Sequence, residues 1–238
     1  MTPSKPSDVP PSAGDPGAVD PLRERRVVLC VTGGIAAYKS AYLTRALVKA
    51  GARVHVVMSR NAPRFVTPLT FETLSGNPVV TSSFERAHAL GAVEHVDLAL
   101  WADLVLVAPA SYDVLGKLNA GVADDAVTTL LAAVRVPVFL VPSMNDHMWR
   151  NPINQRNVRE LDALGYRFVD PERGPLACVW EGEGRMREPD AIVESVRAAL
   201  RAGALGTANA TAPMPAARAG GTLAGRTVLV SAAGTREA

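Results

Sequence analysis

Between residues 26 and 201 the apolar positions of this chain change period again and again. Short, largely apolar runs at 27–31, 53–58, 104–108, 137–141 and 166–169 have the length and composition of strands. Helix-like spacing fills the gaps at 36–50, 68–75, 93–101, 114–119, 125–134, 152–164 and 189–201. A strand that is apolar at nearly every position has no face left for water. The pattern therefore predicts an α/β fold, a parallel sheet covered by helices on both faces. Ligands of such sheets sit beyond the carboxyl ends of the strands, so the loops there are where chemistry is to be sought.

The flanks read differently. Residues 1–21 hold six prolines and almost no large apolar side chain, too little to offset the entropy of ordering, so residues 1–25 are expected to be a disordered tail. Residues 202–222 have the Ala, Gly and Pro content of a linker. A new strand-like run opens at 226–230, and residues 223–238 are expected to be the truncated start of a second domain, leaving 26–201 as the functional unit.

Composition narrows the function. With 25 Lys plus Arg against 23 Asp plus Glu, the net charge of +2 is too small for a nucleic-acid stripe or a polybasic membrane patch. Two cysteines cannot make a disulfide framework, and residues 1–26 lack a signal peptide's apolar stretch; a cytoplasmic setting is expected. No apolar run nears the roughly 18 residues of a membrane span. No H-E-x-x-H, C-x-x-C or carboxylate cluster appears, so no metal is expected, and the absence of G-x-S-x-G weakens a hydrolase reading.

The carboxyl-end loops carry the candidates. Gly33 and Gly34 follow the first strand and precede a helix, an arrangement that admits a phosphate, although a turn needing glycine for its own backbone reads the same way. Ser59 follows the second strand, and Ser111 and Asp113 follow the third; each suits a ligand and each suits a helix cap. Residues 142–149, Pro-Ser-Met-Asn-Asp-His-Met-Trp, place an amide, Asn145, among core-type side chains. Cys178 lies in a Gly-punctuated loop, whereas Cys30 sits within a strand. His95 opens a helix, where an imidazole favours the neutral form of a base, although on spacing alone a surface histidine is the commoner reading.

Taken together these loops resemble the homo-oligomeric flavin-containing cysteine decarboxylases, in particular the phosphopantothenoylcysteine decarboxylases fused to a ligase in coenzyme A biosynthesis. The resemblance covers residues 26–200. It rests on P-x-M-N-x-x-M-W, met in full at 142–149, on His95 with Trp101-Ala102-Asp103, and on Cys178 with Gly182, Gly184, Arg185 and Met186. Residues 223–237 resemble the first strand and loop of the CTP-dependent ligase half, and so short a piece carries no expectation of ligase activity. The chain departs from the family's P-A-S-A-N-T loop at Tyr112, Asp113 and Val114, and from its flap at Val179 and Trp180.

The resemblance implies a Rossmann- or flavodoxin-like three-layer fold, FMN as cofactor and 4′-phosphopantothenoylcysteine as substrate. It implies that Gly33, Gly34, Ile35, Ser59 and Ser111 contact FMN, with Ser143 a backbone contact near the ring. His95 is implied as the base, Asn145 as the carboxylate binder and Cys178 as the acid that protonates an ene-thiol after carbon dioxide leaves a transient thioaldehyde. Trimers, or dodecamers built from them, are implied, with His95 of one subunit serving a neighbour. The alternatives are a non-catalytic flavin-binding regulatory subunit and a flavin prenyltransferase of similar fold.

Overall fold

In the computed structural model, which describes residues 19–82, 94–175 and 181–203, β1 (Arg26–Val31) lies in the middle of a six-stranded sheet. It is flanked in parallel by β2 (Arg53–Met58) and β4 (Leu104–Ala110). β3 (Val79–Val80), β5 (Val138–Pro142) and β6 (Arg167–Phe168) complete the order β3-β2-β1-β4-β5-β6. All five strand pairings are parallel. Side chains alternate between faces along β1. Val27, Leu29 and Val31 enter a core with α1 (Ala37–Lys49) and α8 (Pro189–Arg201). Val28 and Cys30 enter a second core with α3 (Glu94–Trp101), α4 (Tyr112–Ala120) and α5 (Ala126–Ala133). Both faces being dry is why these strands read as unbroken apolar runs. The predicted three-layer α/β architecture is the observed one.

The remaining elements are short or polar. α2 (Pro68–Ser75) packs on α1, and α7 (Pro152–Ala163) packs on α4. α6 (Asp146–Trp149) is a single turn. β7 (Glu172–Pro175) and β8 (Glu181–Arg185) pair antiparallel as a separate ribbon. β3, α6 and the ribbon were not among the elements the pattern predicts. Two residues are too few to show a period, and Glu-Gly-Glu-Gly-Arg at β8 has no apolar alternation to detect.

One boundary is corrected. The tail expected through residue 25 is already packed at its end. Leu22 is fully buried in the first core, and Asp20 accepts from Leu22 N at 3.0 Å and from Arg197 Nε of α8 at 3.2 Å. A single leucine with a capping aspartate is enough to dock this turn, a signal that the proline content around it obscures. Residues 1–18 and 204–238, which take in most of the expected tail, the linker and the start of a second domain, lie outside the described residues.

A buried lysine ties α1 to the segment that leads into α8. Lys39 Nζ donates to Met186 O at 2.8 Å and to Glu188 Oε1 at 2.9 Å. Lys39 holds the Glu188 carboxyl below the ordinary carboxylate range, and Arg185 adds to the effect. That contribution to stability is complete above the unfolded carboxyl's titration and fades as pH falls through the lowered folded value. Lys39→Met leaves Met186 O without its donor, and we expect a loss of about 1–3 kcal/mol in denaturant unfolding. The acid limb of the stability profile flattens in the same variant.

Candidate active site

The strand order reverses direction of winding at β1 and β4, and the loops that leave their carboxyl ends diverge there. Such a switch point leaves a crevice. Here the crevice is a cavity of about 340 Å³ whose walls include Thr32, Gly33, Ser59, Ser111, Asp113 and Lys117. A wider cleft of about 1030 Å³ opens beside Asp20, Lys49 and Arg197, among charged surface groups away from these loops.

Three loops are stitched together beneath the cavity. Thr32 is buried; its Oγ1 donates to Pro109 O at 2.7 Å and accepts from Ser111 N at 3.2 Å, joining the loops after β1 and β4. Ser59 Oγ accepts from Gly33 N at 3.1 Å, joining the loops after β1 and β2. The capping reading of Ser59 therefore gives way to a cross-loop bond. Ser111 combines both expectations. It lines the cavity, and its Oγ accepts from Val114 N at 3.4 Å as the N-cap of α4. Sequence reasoning passed over Thr32 as a functional residue; a threonine directly before paired glycines was the available sign.

The two glycines differ. A Cβ at Gly33 would lie 2.8 Å from Asn61 Cβ, so the close approach of the first two loops requires glycine. A Cβ at Gly34 meets no atom within 4 Å, so the chain's own packing places no demand there and leaves room for a ligand. α1 starts with no capping side chain and no acidic residue in its first turn, which leaves its positive end uncompensated beside these glycines. Glycine backbone, two hydroxyls and a free helix start fit a phosphate-bearing cofactor such as FMN. Ile35 stands outside the cavity wall and is 62% exposed.

Lys117 and Arg60 offset part of the acidic charge along the cavity wall. Lys117 Nζ pairs with Asp113 at 3.2 Å and Asp124 at 3.0 Å. Partial burial works against its charge, but bonds to Asp124 and Asp113 win and raise its pKa. Arg60 donates to Asp124 O at 3.1 Å. Asp125 and Thr128 form a capping box at the start of α5. The Asp113 substitution noted in the sequence thus arrives with its own counter-ion.

Asn145 N-caps α6, its Oδ1 accepting from His147 N at 2.8 Å, and Ser143 N donates to Ala110 O at 3.1 Å. Met144 N donates to Gly184 O at 2.9 Å, which brings the ribbon against this loop. Cys178 falls between β7 and β8 in sequence and lies outside the described residues. His95 stands in the first turn of α3. That helix enters β4 within three residues, so its first turn is the end directed toward the sheet's carboxyl edge. Its Nδ1 is buried and meets no hydrogen-bond partner among the described residues. His95 does not line the cavity. Trp101 and Asp103, quoted with it in the family motif, have structural work: Trp101 meets His55 edge-to-face at 4.6 Å, and Asp103 accepts from Arg26 N at 2.9 Å. Burial of His55 disfavours its charged form.

Among the described residues, no cluster of three or more potential metal ligands occurs, and no helix is long and apolar enough to cross a membrane.

Comparison with known proteins agrees with this geometry. The coenzyme A biosynthesis bifunctional protein CoaBC of Bacillus subtilis is 49% identical over 173 residues, covering 73% of this chain and 42% of the relative. CoaBC of Vibrio cholerae is 42% identical over 217 residues, covering 91% of this chain and 50% of the relative. The chain thus spans about half the length of the curated relatives it matches. A solved cysteine-to-serine mutant of PPC decarboxylase complexed with pantothenoylaminoethenethiol superposes with a TM-score of 0.69 at 31% identity, covering 74% of this chain and 98% of that one. The FMN-binding protein AtHal3 superposes with a TM-score of 0.68 at 31% identity, covering 76% of this chain and 98% of that one. The Flavoprotein family model matches residues 18–201, and this chain belongs to that family.

Proposed function

We propose that this chain is an FMN-dependent decarboxylase acting on 4′-phospho-N-pantothenoyl-L-cysteine and releasing 4′-phosphopantetheine. The observation that carries this reading is the convergence, at one sheet edge, of the Gly33–Ser59–Ser111 cradle with the Asn145 loop and the ribbon that brackets Cys178 in sequence. The relatives' names and the decarboxylase structures support the same activity.

Gly33, Gly34, Ser59 and Ser111 would hold FMN, with Ile35 and Ser143 as further contacts, and the bound flavin would supply reversible hydride acceptance from the thiol-bearing carbon. That oxidation turns an unactivated carboxylate into one beta to a C=S bond, where departing electrons have a sink. His95 removes the proton that must leave during oxidation; a buried Nδ1 without a hydrogen-bond partner among the described residues suits a base completed by another molecule. Asn145 donates through its amide to the substrate carboxylate and orients it for loss of carbon dioxide. Cys178 returns a proton to carbon as the ene-thiol is reduced, which requires a neutral thiol. The overall conversion would be redox-neutral and call for no second oxidant.

The protein works in the cytoplasm as a homo-oligomer, a trimer or an assembly of trimers, in which His95 serves a neighbouring subunit. Exposed Tyr38 and Tyr42, one turn apart on α1, and Leu69 on the adjoining α2 give this chain apolar surface suited to self-association.

The test is direct. Purified protein shows the visible spectrum of bound flavin and releases carbon dioxide from 4′-phosphopantothenoylcysteine without CTP. Flavin binding without carbon dioxide release favours the regulatory-subunit reading, and prenyl transfer to the flavin favours the prenyltransferase reading. Gly33→Ala pushes a Cβ into Asn61 and shifts the cradle, so its affinity for FMN falls about tenfold in a fluorescence-quenching titration.

A further inference from the structure

Beside the Met144 N to Gly184 O backbone bond, the ribbon and the Asn145 loop meet through a side chain that the family motif leaves variable. Asp146 Oδ1 accepts from Glu183 N of β8 at 2.9 Å. Arg150 Nε approaches the same oxygen at 3.0 Å, and Arg150 also faces Glu183 at 3.6 Å. Arg150 is 58% exposed, so its ion pairs contribute little. The charge-assisted bond from the Glu183 amide is the stronger tie. β8 accommodates this approach by lacking side chains where it touches the loop. A Cβ at Gly182 would lie 2.7 Å from Asp146 Cβ, and a Cβ at Gly184, where φ is +118°, would collide with Met144 O. Glycine at both positions is thus explained by contact with the loop on either side of Asn145.

We propose that Asp146 is a positioning residue for decarboxylation: its carboxylate locks the β7–β8 stem onto the loop that presents Asn145. The inference rests on the functional reading above, because it assigns value to the register between Asn145 and the ribbon that brackets Cys178 in sequence. Asp146 follows Asn145 directly and opens α6, whose cap is the Asn145 side chain, so displacement of one moves the other. Misplacing reacting groups by about 1 Å costs up to about a hundredfold in rate.

Two measurements test this. Hydrogen exchange on protein without substrate reads the tether itself. In Asp146→Ala the amides of Glu183 and Met144 exchange roughly tenfold to a hundredfold faster, while amides of β1 and β4 are unchanged. Asp146→Asn retains an acceptor oxygen and restores protection. Steady-state kinetics read its consequence: Asp146→Ala lowers kcat at least tenfold with FMN affinity within about twofold of the parent, and Asp146→Asn recovers most of the rate. Gly182→Ala attacks the contact from the other strand and gives the same two signatures, which decides the matter should Asp146→Ala fail to fold. Unchanged exchange in both variants, or faster exchange with unaltered kcat, overturns the proposal. Parent protein that releases no carbon dioxide overturns the functional reading instead, and exchange alone then decides the tether.

Discussion

Replacing Cys178 with serine leaves the flavin bound and halts turnover after carbon dioxide has departed. The proposed mechanism separates carboxylate loss from reduction, and the thiol acts only in the second half. Serine is nearly isosteric, but its hydroxyl is a far weaker acid than a thiol, so protonation of the ene-thiol slows by about 10²–10⁴. One equivalent of carbon dioxide per site is expected in a burst, with the unreduced product retained and identifiable by mass spectrometry. Full catalytic turnover to 4′-phosphopantetheine by the serine variant removes Cys178 from the mechanism. The other cysteine makes a clean control. Cys30 is wholly buried in β1, and burial drives its thiol far above the usual range, so it can neither ionise nor reach a ligand.

His95→Asn gives the complementary block. Asparagine keeps a polar side chain at the start of α3 but cannot take a proton, so both carbon dioxide release and the preceding oxidation fall by about 10²–10⁴. No burst appears, and the visible spectrum of the bound cofactor is unchanged on adding substrate. That spectral result separates a lost base from a lost acid, since Cys178→Ser still completes the first half-reaction. Mixing His95→Asn with Cys178→Ser protein tests the shared site. Should His95 serve a neighbour, hybrid assemblies contain sites with both functional groups restored and regain part of the rate. A burst of normal size from His95→Asn excludes it as the base.

The cavity chemistry shows how differently its parts were written in the sequence. Gly33, Ser59 and Ser111 were all legible as candidates because each lies within two residues of a strand's end, and a parallel sheet gathers those positions at one edge. What Ser59 does there was not legible. Its bond to Gly33 spans 26 residues, and only the side-by-side register of β1 and β2 brings the two together. Asp113 departs from the family's loop after β4. Its partner Lys117 is one helical turn away and was readable as such, but Asp124, which completes the pairing, comes from the approach to α5.

Lys39 and Asp146 mark the same divide at longer range. Lys39 sits on an α1 face that reads as polar interruption, and its buried amine makes sense only once residues 186 and 188 arrive beside it. Asp146 occupies a variable position of its motif, and nothing local separates it from a surface carboxylate.

Periodicity and loop placement were therefore enough to determine the α/β class, the edge of the sheet where chemistry belongs and most of the residue types gathered there. Those features follow from local rules: which faces are apolar, and which residues come straight after a strand. Tertiary structure alone decided the docking of Leu22, the glycine-backed seam between β8 and the Asn145 loop, and the pairing of buried Lys39 with Met186 O and Glu188. Such contacts join residues far apart in the chain, and their existence depends on how distant elements approach one another, a quantity that no local pattern encodes.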